Sequence, residues 1–276
     1  MAVLDVRNLT MSFADKKLYE DASFQLEKHE HMGIVGQNGA GKSTLIKILI
    51  GKELPVAGDI KWQKNTKIGY LDQYVDIPQG MTLIQFLHTA FQELYDVNEQ
   101  MNELYARYAT EMDDRLLERA GRLQERLDAA DFYEVETKIE RVMNGLGLND
   151  IGKDHVVSEM SGGQRSKIIL AKMLLENPDV ILLDEPTNYL DTAHIEWLIE
   201  YLNDFDGAAM IISHDYDFLE RVTNTICDVA FGKITKYRGS FKQAMRQKAE
   251  RKETQEREYE KQQEVIEKAE RFIRKN

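Results

Sequence analysis

Cysteine, proline and long apolar runs are scarce in this 276-residue chain, which contains one cysteine and four prolines. The lone Cys227 excludes an internal disulfide and is typical of a reducing compartment, so we expect a cytoplasmic protein. No apolar run approaches the ~20 residues that cross a bilayer. The first residues also lack the basic and then apolar pattern of a secretory signal. We therefore expect no membrane insertion, and any role at a membrane would need a separate partner.

Positive charge is scarce as well, although it is unevenly distributed. The formal net charge of −12 argues against a uniformly basic nucleic-acid-binding protein. Residues 236–276 nevertheless contain 13 lysines and arginines against 8 acidic residues, whereas residues 92–131 contain 5 against 11. A basic end on an acidic body is typical of an interaction element, and the alternative is a solvated helix in which both signs are mixed.

The strongest motif occupies residues 36–43 and fits the phosphate-loop pattern G-x-x-x-x-G-K-[ST]. A short apolar run precedes it, and a predicted helix follows up to Ile50. In such a loop successive backbone N–H groups converge on phosphates, and the helix end adds partial positive charge. We expect Lys42 to contact the β- and γ-phosphates of a nucleotide and the Ser43 hydroxyl to ligate Mg²⁺. The alternative, a flexible glycine turn, would not need this order of strand, loop and helix.

Two adjacent carboxylates follow a second apolar run. Residues 180–183 predict a buried parallel strand, after which Asp184 would hold Mg²⁺ and Glu185 would orient and deprotonate an attacking water. The alternative for Glu185 is a cap on the following helix. His214 follows another predicted strand, 208–212, and would donate a hydrogen bond to the γ-phosphate, the alternative being a purely structural histidine. Together with the phosphate loop and the Ser-Gly-Gly-Gln segment that lies between these motifs, they predict ATP hydrolysis.

Strands that alternate with helices predict an α/β fold with a parallel sheet. The first thirty residues predict short antiparallel strands, the second of which is broken at Glu20-Asp21. Residues 82–144 predict an inserted set of helices, whose polar part projects into solvent. Within this insertion, Asp131 and Glu134 have the spacing of a capping box that opens another helix.

After residue 239 the composition changes. Residues 240–275 contain no glycine or proline and are rich in Glu, Lys, Gln and Arg, which predicts one long helix that is polar on all sides. We expect an ATPase domain over residues 1–239, with the insertion at about 82–144, and a charged helical linker over residues 240–276. Because no terminating residues precede Asn276, we expect the sequence to be a piece of a longer protein.

The motifs in this order resemble the ATP-binding-cassette ATPases, over essentially residues 1–235. The resemblance implies a nucleotide-binding domain with a mixed sheet around a phosphate-loop core, an antiparallel β edge and a helical subdomain, followed here by a long C-terminal helix. The family signature falls at residues 161–164, preceded by Met160 where leucine is usual, a change that conserves volume. The implied cofactors are ATP and Mg²⁺.

The resemblance also implies roles at matching positions. Phe13 would stack on adenine, although a place in the core is equally open. Gln73 is the loop glutamine near Mg²⁺, Asp191 belongs to a loop that contacts a second cassette, and His214 is the switch histidine. The implied nucleotide contacts of the phosphate loop and the signature are Gly36, Gln37, Asn38, Gly39, Ala40, Gly41, Lys42, Ser43, Thr44, Ser161, Gly162, Gly163 and Gln164, and the implied Mg²⁺ ligands are Ser43, Gln73 and Asp184.

A cassette that resembles this family cannot complete its site alone. The resemblance implies that the signature of one cassette closes over ATP held by the phosphate loop of another. The motifs for one cassette occur once in this sequence. We therefore expect a second cassette as a partner, either from a second copy or from a longer chain.

The segment Glu-Pro-Thr-Asn-Tyr-Leu-Asp at residues 185–191 resembles the ABC-F subfamily, which usually has histidine where Tyr189 stands. Members lack transmembrane domains, join two cassettes by a charged helical linker and carry a helical arm in the first cassette. The resemblance implies a ribosome-associated translation factor with the ribosome, rRNA and tRNA as partners, and antibiotic protection in some members. The alternatives are the soluble ATPase subunit of an ABC transporter and a clamp that binds ATP without hydrolysis.

Overall fold

The computed structural model describes residues 1–13, 16–71 and 78–275, and in the last helix it leaves undescribed the side chains at 255, 258, 260, 261 and 264–275. The chain forms two compact units. The first consists of Met1–Lys64 together with Ala208–Asn276, and the second of Asn65–Gly207. The phosphate loop belongs to the first unit, and the paired carboxylates and the signature belong to the second.

The described residues alternate between strands and helices as the sequence predicts, which confirms the α/β class. In chain order their strands are β1 (Ala2–Phe13), β2 (Lys16–Glu27), β3 (His31–Val35), β4 (Ala57–Trp62), β5 (Ile68–Tyr70), β6 (Val180–Asp184), β7 (Ala208–Ile212), β8 (Thr225–Ala230) and β9 (Lys233–Arg238). Their α-helices are α1 (Lys42–Leu49), α2 (Leu83–His88), α3 (Gln92–Glu111), α4 (Asp114–Ala129), α5 (Val135–Gly145), α6 (Gly162–Leu175), α7 (Thr192–Asp204), α8 (Tyr216–Val222) and α9 (Phe241–Lys275).

The first unit contains antiparallel and mixed pairing. In one sheet β1 pairs antiparallel with both β2 and β4. Elsewhere β3 lies between β7 and β8 and runs parallel to both, while β9 returns antiparallel along β8. All five residues of β3 are buried, which accounts for its mostly apolar sequence, because a strand covered on both faces has no solvent side. The expected mixed sheet with an antiparallel edge is confirmed.

The predicted break at Glu20-Asp21 is wrong, because β2 continues through it for 12 residues. Asp21 has a positive φ of 53°, and Asn8 on the neighbouring strand has one of 50°. The register between β1 and β2 shifts near these residues, where the backbone N–H of Asn8 donates to Ser23 Oγ at 2.9 Å. The polar dipeptide therefore marks a bulge, which bends a strand without ending it.

In the second unit, α3 and α4 form a helical hairpin that corresponds to the predicted polar insertion. Ion pairs such as Arg107–Glu111, at 2.9 Å, lie on its exposed surface. The two helices are joined by an apolar seam, so the hairpin has a small core of its own. The seam consists of Val97, Met101, Leu104, Leu116, Ala120 and Leu127.

The predicted capping box at Asp131 and Glu134 is wrong. Asp131 has a left-handed φ of 51° and makes no side-chain capping bond, and residues 132–134 form a 3-10 turn before α5. Thr82 forms a capping box in this unit instead: Gln85 N donates to Thr82 Oγ1 at 3.4 Å, and Thr82 N donates to Gln85 Oε1 at 3.0 Å. The spacing predicts a cap only where the backbone reaches the capping residue in an extended conformation.

The long polar helix predicted after residue 239 is α9, with 35 residues. Its first turns pack on β8 and β9, where Ala244 is completely buried. Lys248 Nζ lies 2.8 Å from Asp228 Oδ2, so α9 supplies the cation that offsets the burial of a carboxylate in β8. Neither α9 nor any other described helix has the length and apolar character to span a membrane. The division into a domain over 1–239 and a linker over 240–276 stays a prediction.

Gly145 and Gly121 offer a matched test of packing in the second unit. A Cβ at Gly145, the last residue of α5, would lie 2.0 Å from Trp197 Cε2, whereas a Cβ at Gly121 in α4 would meet nothing within 4 Å. We expect Gly145→Ala to lower the free energy of unfolding by about 1–3 kcal/mol, because the indole must move. Gly121→Ala should raise it by about 0.5–1 kcal/mol, because alanine loses less backbone entropy. Urea unfolding measures both, and shifts of the same sign would contradict this packing.

Candidate functional site

The predicted phosphate loop leaves β3 at Gly36 and ends at Gly41, the residue before α1. These two glycines have φ values of 156° and 102°. A Cβ at Gly36 would lie 2.4 Å from the carbonyl oxygen of Val229, so glycine is required against β8. Gln37, Asn38 and Gly39 are exposed, as is Ser43 in the first turn of α1, while Ala40 and Thr44 are half-buried. The first N–H groups of α1 have no partner within the helix, and such helix ends bind phosphate.

Lys42, the first residue of α1, forms hydrogen bonds with the start of the loop. It is 8% exposed, and its Nζ donates to the carbonyl oxygens of Gly36 at 2.9 Å and Gln37 at 3.2 Å. The buried ammonium and the N-terminal end of α1 therefore both place positive charge at this loop. Lys16, which the sequence motifs do not mark, places a second ammonium 3.2 Å from the position that a Cβ would take at Gly39.

The strand register brings His214 to the same sheet edge as the phosphate loop. Ile34 of β3 pairs with Ile212 of β7, so Gly36 and His214 each stand two residues beyond a paired position. The carboxyl ends of adjacent parallel strands are the usual place for ligands in α/β sheets. The side chain of His214 is exposed there, unlike that of a histidine packed in a core.

Phe13 is the last residue of β1 and is 48% exposed. It is therefore not part of the core, which removes one of the two interpretations that the sequence leaves open. Its ring is accessible to a planar ligand.

The paired carboxylates follow β6 in the second unit. Asp184 ends the strand and is half-buried, and Glu185 has a left-handed φ of 51°. Such a backbone is costly for a residue with a side chain, and it turns the chain sharply just after Asp184. The alternative role of Glu185 as a helix cap is wrong, because α7 is capped by Asp191, whose Oδ1 accepts from His194 N at 3.1 Å.

The signature segment forms the N-terminus of α6. Gln164 N donates to Ser161 Oγ at 3.3 Å, and Ser161 N donates to Gln164 Oε1 at 2.9 Å, which completes a capping box. The S-x-x-Q spacing is itself a capping pattern, so this role could have been predicted from the sequence. Gly162 and Gly163 supply the first N–H groups of the helix, and N–H groups at a helix N-terminus can accept an anion as a partner.

The loop between β6 and α7 packs against the signature. Tyr189 Cδ1 lies 3.2 Å from the position of a Cβ at Gly163, so the ring covers the first turn of α6. The side chain of Asp191 is exposed, with its Oδ1 2.8 Å from His194 Nδ1. The second unit thus brings the carboxylates, the signature and Asp191 into neighbouring segments. Gln73, the expected loop glutamine, lies outside the described residues.

Cys227 offers no nucleophile to this chemistry. It is completely buried in β8, and burial raises the pKa of its thiol to about 12. The thiol is therefore protonated at neutral pH, and only a thiolate is reactive.

Comparison with known families agrees with these motifs. A family profile described as ABC transporter matches residues 19–188, and a second with the same description matches residues 227–276. The chain belongs to the ABC transporter family. It is 42% identical to the uncharacterized ABC transporter ATP-binding protein YfmM of Bacillus subtilis, over 100% of this chain and 54% of that protein.

Two further relatives are informative by name. The chain is 35% identical to ABC transporter F family member 5 of Arabidopsis thaliana, over 95% of this chain and 39% of the relative. It is 32% identical to the energy-dependent translational throttle protein EttA of Mycobacterium tuberculosis, over 90% of this chain and 44% of the relative. The expected ABC-F cassette is confirmed by these likenesses. The chain spans about half the length, or less, of these relatives.

The fold of this family is confirmed by a solved structure, described as the ATP binding subunit of an ABC transporter. It superposes with a TM-score of 0.65 at 20% identity, over 90% of this chain and 93% of the other.

Ser161 and Ser166 give a matched test of the signature cap. Ser161→Ala should lower the free energy of unfolding by about 1 kcal/mol, because an N-cap oxygen is lost. Ser166 lies inside α6 and donates from Oγ to the Gly162 carbonyl oxygen at 3.1 Å. Ser166→Ala should leave stability unchanged or raise it by up to about 0.5 kcal/mol, since alanine is the better helix former. Chemical denaturation compares the two, and equal effects would speak against the cap.

Proposed function

We propose that this chain is the ATP-binding and ATP-hydrolysing cassette of an ABC-F-type translation factor that associates with the ribosome. The observation that carries the proposal is the presence, in one chain, of the phosphate loop, the paired carboxylates and the signature helix together with the polar helix α9. The ATPase subunit of a transporter needs the same motifs but has no need of α9. Relatives named as an F family member and a translational throttle protein support the same assignment.

In this proposal the first unit holds the triphosphate. Lys42 binds the β- and γ-phosphates, exchanging its hydrogen bonds to the loop carbonyls for bonds to phosphate oxygens. The amides of the loop and of the first turn of α1 bind the remaining phosphate oxygens. Phe13, half-exposed at the end of β1, stacks on adenine, and His214 donates to the γ-phosphate.

The Mg²⁺ ion that the family implies fits the chemistry of the residues present. Ser43 offers an exposed hydroxyl beside the phosphate-binding amides, and Asp184 offers a carboxylate at a strand end. Hydroxyl and carboxylate oxygens are the hard ligands that Mg²⁺ prefers. When bound, Mg²⁺ neutralises charge on the β- and γ-phosphates. Gln73 remains the third ligand that the resemblance implies.

Glu185 is the proposed general base. It accepts a proton from the attacking water and orients that water toward the γ-phosphorus. The left-handed backbone at this residue redirects the chain immediately after the Mg²⁺ ligand Asp184. Two consecutive carboxylates therefore serve different purposes, one at the metal and one at the water.

The signature helix is proposed to act on a second cassette. Ser161 and the amides of Gly162 and Gly163 contact ATP that the phosphate loop of the partner holds. Because the chain spans about half of the relatives it matches, we assign the partner to the same longer protein, with self-pairing as the route open to this chain alone. The oxygen of Ser161 accepts a backbone hydrogen bond, so its proton remains for the phosphate.

Alanine variants of Lys42 and Lys47 distinguish a specific contact with phosphate from a general effect of positive charge on ATP affinity. Lys42→Ala should weaken ATP affinity about tenfold to a hundredfold, because hydrogen bonds to a charged group are lost. Lys47 is exposed and lies in the last turn of the same helix, at the end away from the loop, so Lys47→Ala should leave affinity unchanged. Titration with a fluorescent ATP analogue measures both variants, and unchanged affinity in Lys42→Ala would contradict the phosphate-loop assignment.

Glu185→Gln, introduced in the full-length protein together with the equivalent change in its other cassette, tests the whole proposal. This protein should bind ATP without turnover and co-sediment with ribosomes in ATP but not without nucleotide. The same protein with Lys42→Ala added is the control, and it should lose the ATP-dependent retention. Recovery on membranes instead of ribosomes would favour a transporter ATPase, and normal hydrolysis would remove Glu185 from the role of base.

A further inference from the structure

A groove of about 820 Å³ runs between α9 and the β8–β9 hairpin, entirely within the first unit. Its lining includes no residue of the phosphate loop, the carboxylates or the signature. Phe231, Lys248 and Lys252 also line a neighbouring pocket beside Gly36–Ala40, whereas Lys233, Arg251 and Tyr259 line this groove and not that pocket. Four basic side chains and two exposed aromatic rings line it, namely Lys233, Lys248, Arg251, Lys252, Phe231 and Tyr259.

The groove is basic in a chain whose net charge is −12. Its two carboxylates are each close to a lysine of the groove, Asp228 at 2.8 Å and Glu256 at 3.6 Å. The charges of Lys233 and Arg251 remain in excess, and both side chains are exposed. A concave surface with an excess of positive charge concentrates anions.

Phe231 occupies a turn position that bulky residues rarely take. Ala230 pairs with Lys233, so Phe231 and Gly232 form a two-residue hairpin turn, with φ values of 50° and 73°. Turns of this kind favour Asn-Gly, because both central residues need positive φ, which a bulky residue adopts at a cost. Phe231 is 98% exposed, so packing within the chain does not offset that cost. An exposed ring on a strained backbone of this kind indicates an external ligand.

We propose that this groove binds an unpaired segment of RNA, with phosphates on the basic side chains and a base stacked on Phe231 or Tyr259. Tyr259 lies on α9, is 63% exposed and faces the same groove. Aromatic rings beside positive charges are the usual means of binding single-stranded RNA. The inference rests on the proposed function, because a ribosome-associated protein meets RNA, and it specifies which surface of this chain meets it.

Other anionic partners fit the groove less well. The carboxylates of an acidic peptide would pair with the basic side chains but have no face that stacks on the ring of Phe231. An anionic bilayer would need a flat or convex surface, whereas these side chains line a groove. Unpaired nucleotides use both features, since every base has a face that stacks and every link carries a phosphate.

The first test is fluorescence anisotropy of labelled oligouridylate and oligoadenylate with this chain. Phe231→Asn is the decisive variant, because Asn-Gly suits the turn while the ring is lost. It should keep or raise the melting temperature and weaken RNA binding about tenfold, the effect of losing one stacked base. Leu54→Ala is the control, since Leu54 is an apolar side chain that is 83% exposed outside the groove. It should leave RNA binding unchanged.

The second test measures the salt dependence of the same binding. Lys233→Gln combined with Arg251→Gln should reduce the slope of log Kd against log salt by about 1.4, because each phosphate contact on a single strand contributes about 0.7. Lys61→Gln combined with Lys64→Gln removes the same charge from exposed positions outside the groove. That pair should leave the slope unchanged.

Unchanged RNA affinity in Phe231→Asn, or equal slopes for the two lysine-containing pairs, would overturn the assignment of the groove. So would failure of RNA to bind while polyglutamate, or vesicles of phosphatidylcholine with phosphatidylserine, bind with the same sensitivity to these variants. Ribosome retention of the full-length Glu185→Gln protein separates this inference from the proposed function. If ribosome retention persists but Phe231→Asn does not change RNA affinity, only the assignment of the groove is wrong. If Phe231→Asn weakens RNA binding but ribosome retention is absent, the translation-factor role is wrong.

Discussion

The fit of Gly36 against β8 is the constraint on which the first unit's site depends. The carbonyl oxygen of Val229 occupies the space where a Cβ would stand, so only glycine fits where the chain leaves β3 in this direction. That direction leads into α1, whose first residue, Lys42, donates back to the Gly36 carbonyl oxygen at 2.9 Å. The parallel pairing of β3 with β7 then determines where His214 emerges. A glycine, a lysine and a strand register thus shape the loop before any ligand binds, and preorganisation of this kind lowers the entropy cost of binding.

Some residues that the motifs assign to the nucleotide site also cap helices. Ser161 and Gln164 cap α6, and Asp191 caps α7. Ser161 Oγ accepts a hydrogen bond from a backbone N–H, which leaves its proton to donate to a phosphate. One side chain can therefore begin a helix and contact a ligand at its positive end, because the two tasks use opposite hydrogen-bonding roles. Motif residues collect at helix N-termini because the unpartnered N–H groups there need acceptors with or without a ligand.

The sequence predicts the features that depend on local patterns, and it misses those that depend on contacts between distant residues. The sequence predicts β7 with its observed ends, because a short buried strand is a local apolar signal. It does not predict β8 and β9, since Asp228 interrupts the apolar pattern and its partner, Lys248, lies 20 residues later. The hairpin turn at Phe231 also lacks the usual Asn-Gly signal. The same holds for the site. The phosphate loop is contiguous in the sequence and therefore predictable, whereas Lys16 approaches Gly39 from β2, which belongs to a different sheet from β3.

The ion pair between Asp228 and Lys248 makes the first turns of α9 part of the first unit. Asp228 is 5% exposed, so separation from Lys248 would leave a buried carboxylate without its cation, which is strongly unfavourable. The buried Ala244, one turn earlier, adds an apolar contact at the same place. Because the ion pair and this apolar contact both hold α9, the helix must rotate together with the sheet that carries Asp228. Bending near the N-terminus of α9 would break the ion pair. The linker role that we propose for α9 would need this property, since a flexible joint at residue 240 would absorb any rotation of the sheet before the helix could transmit it.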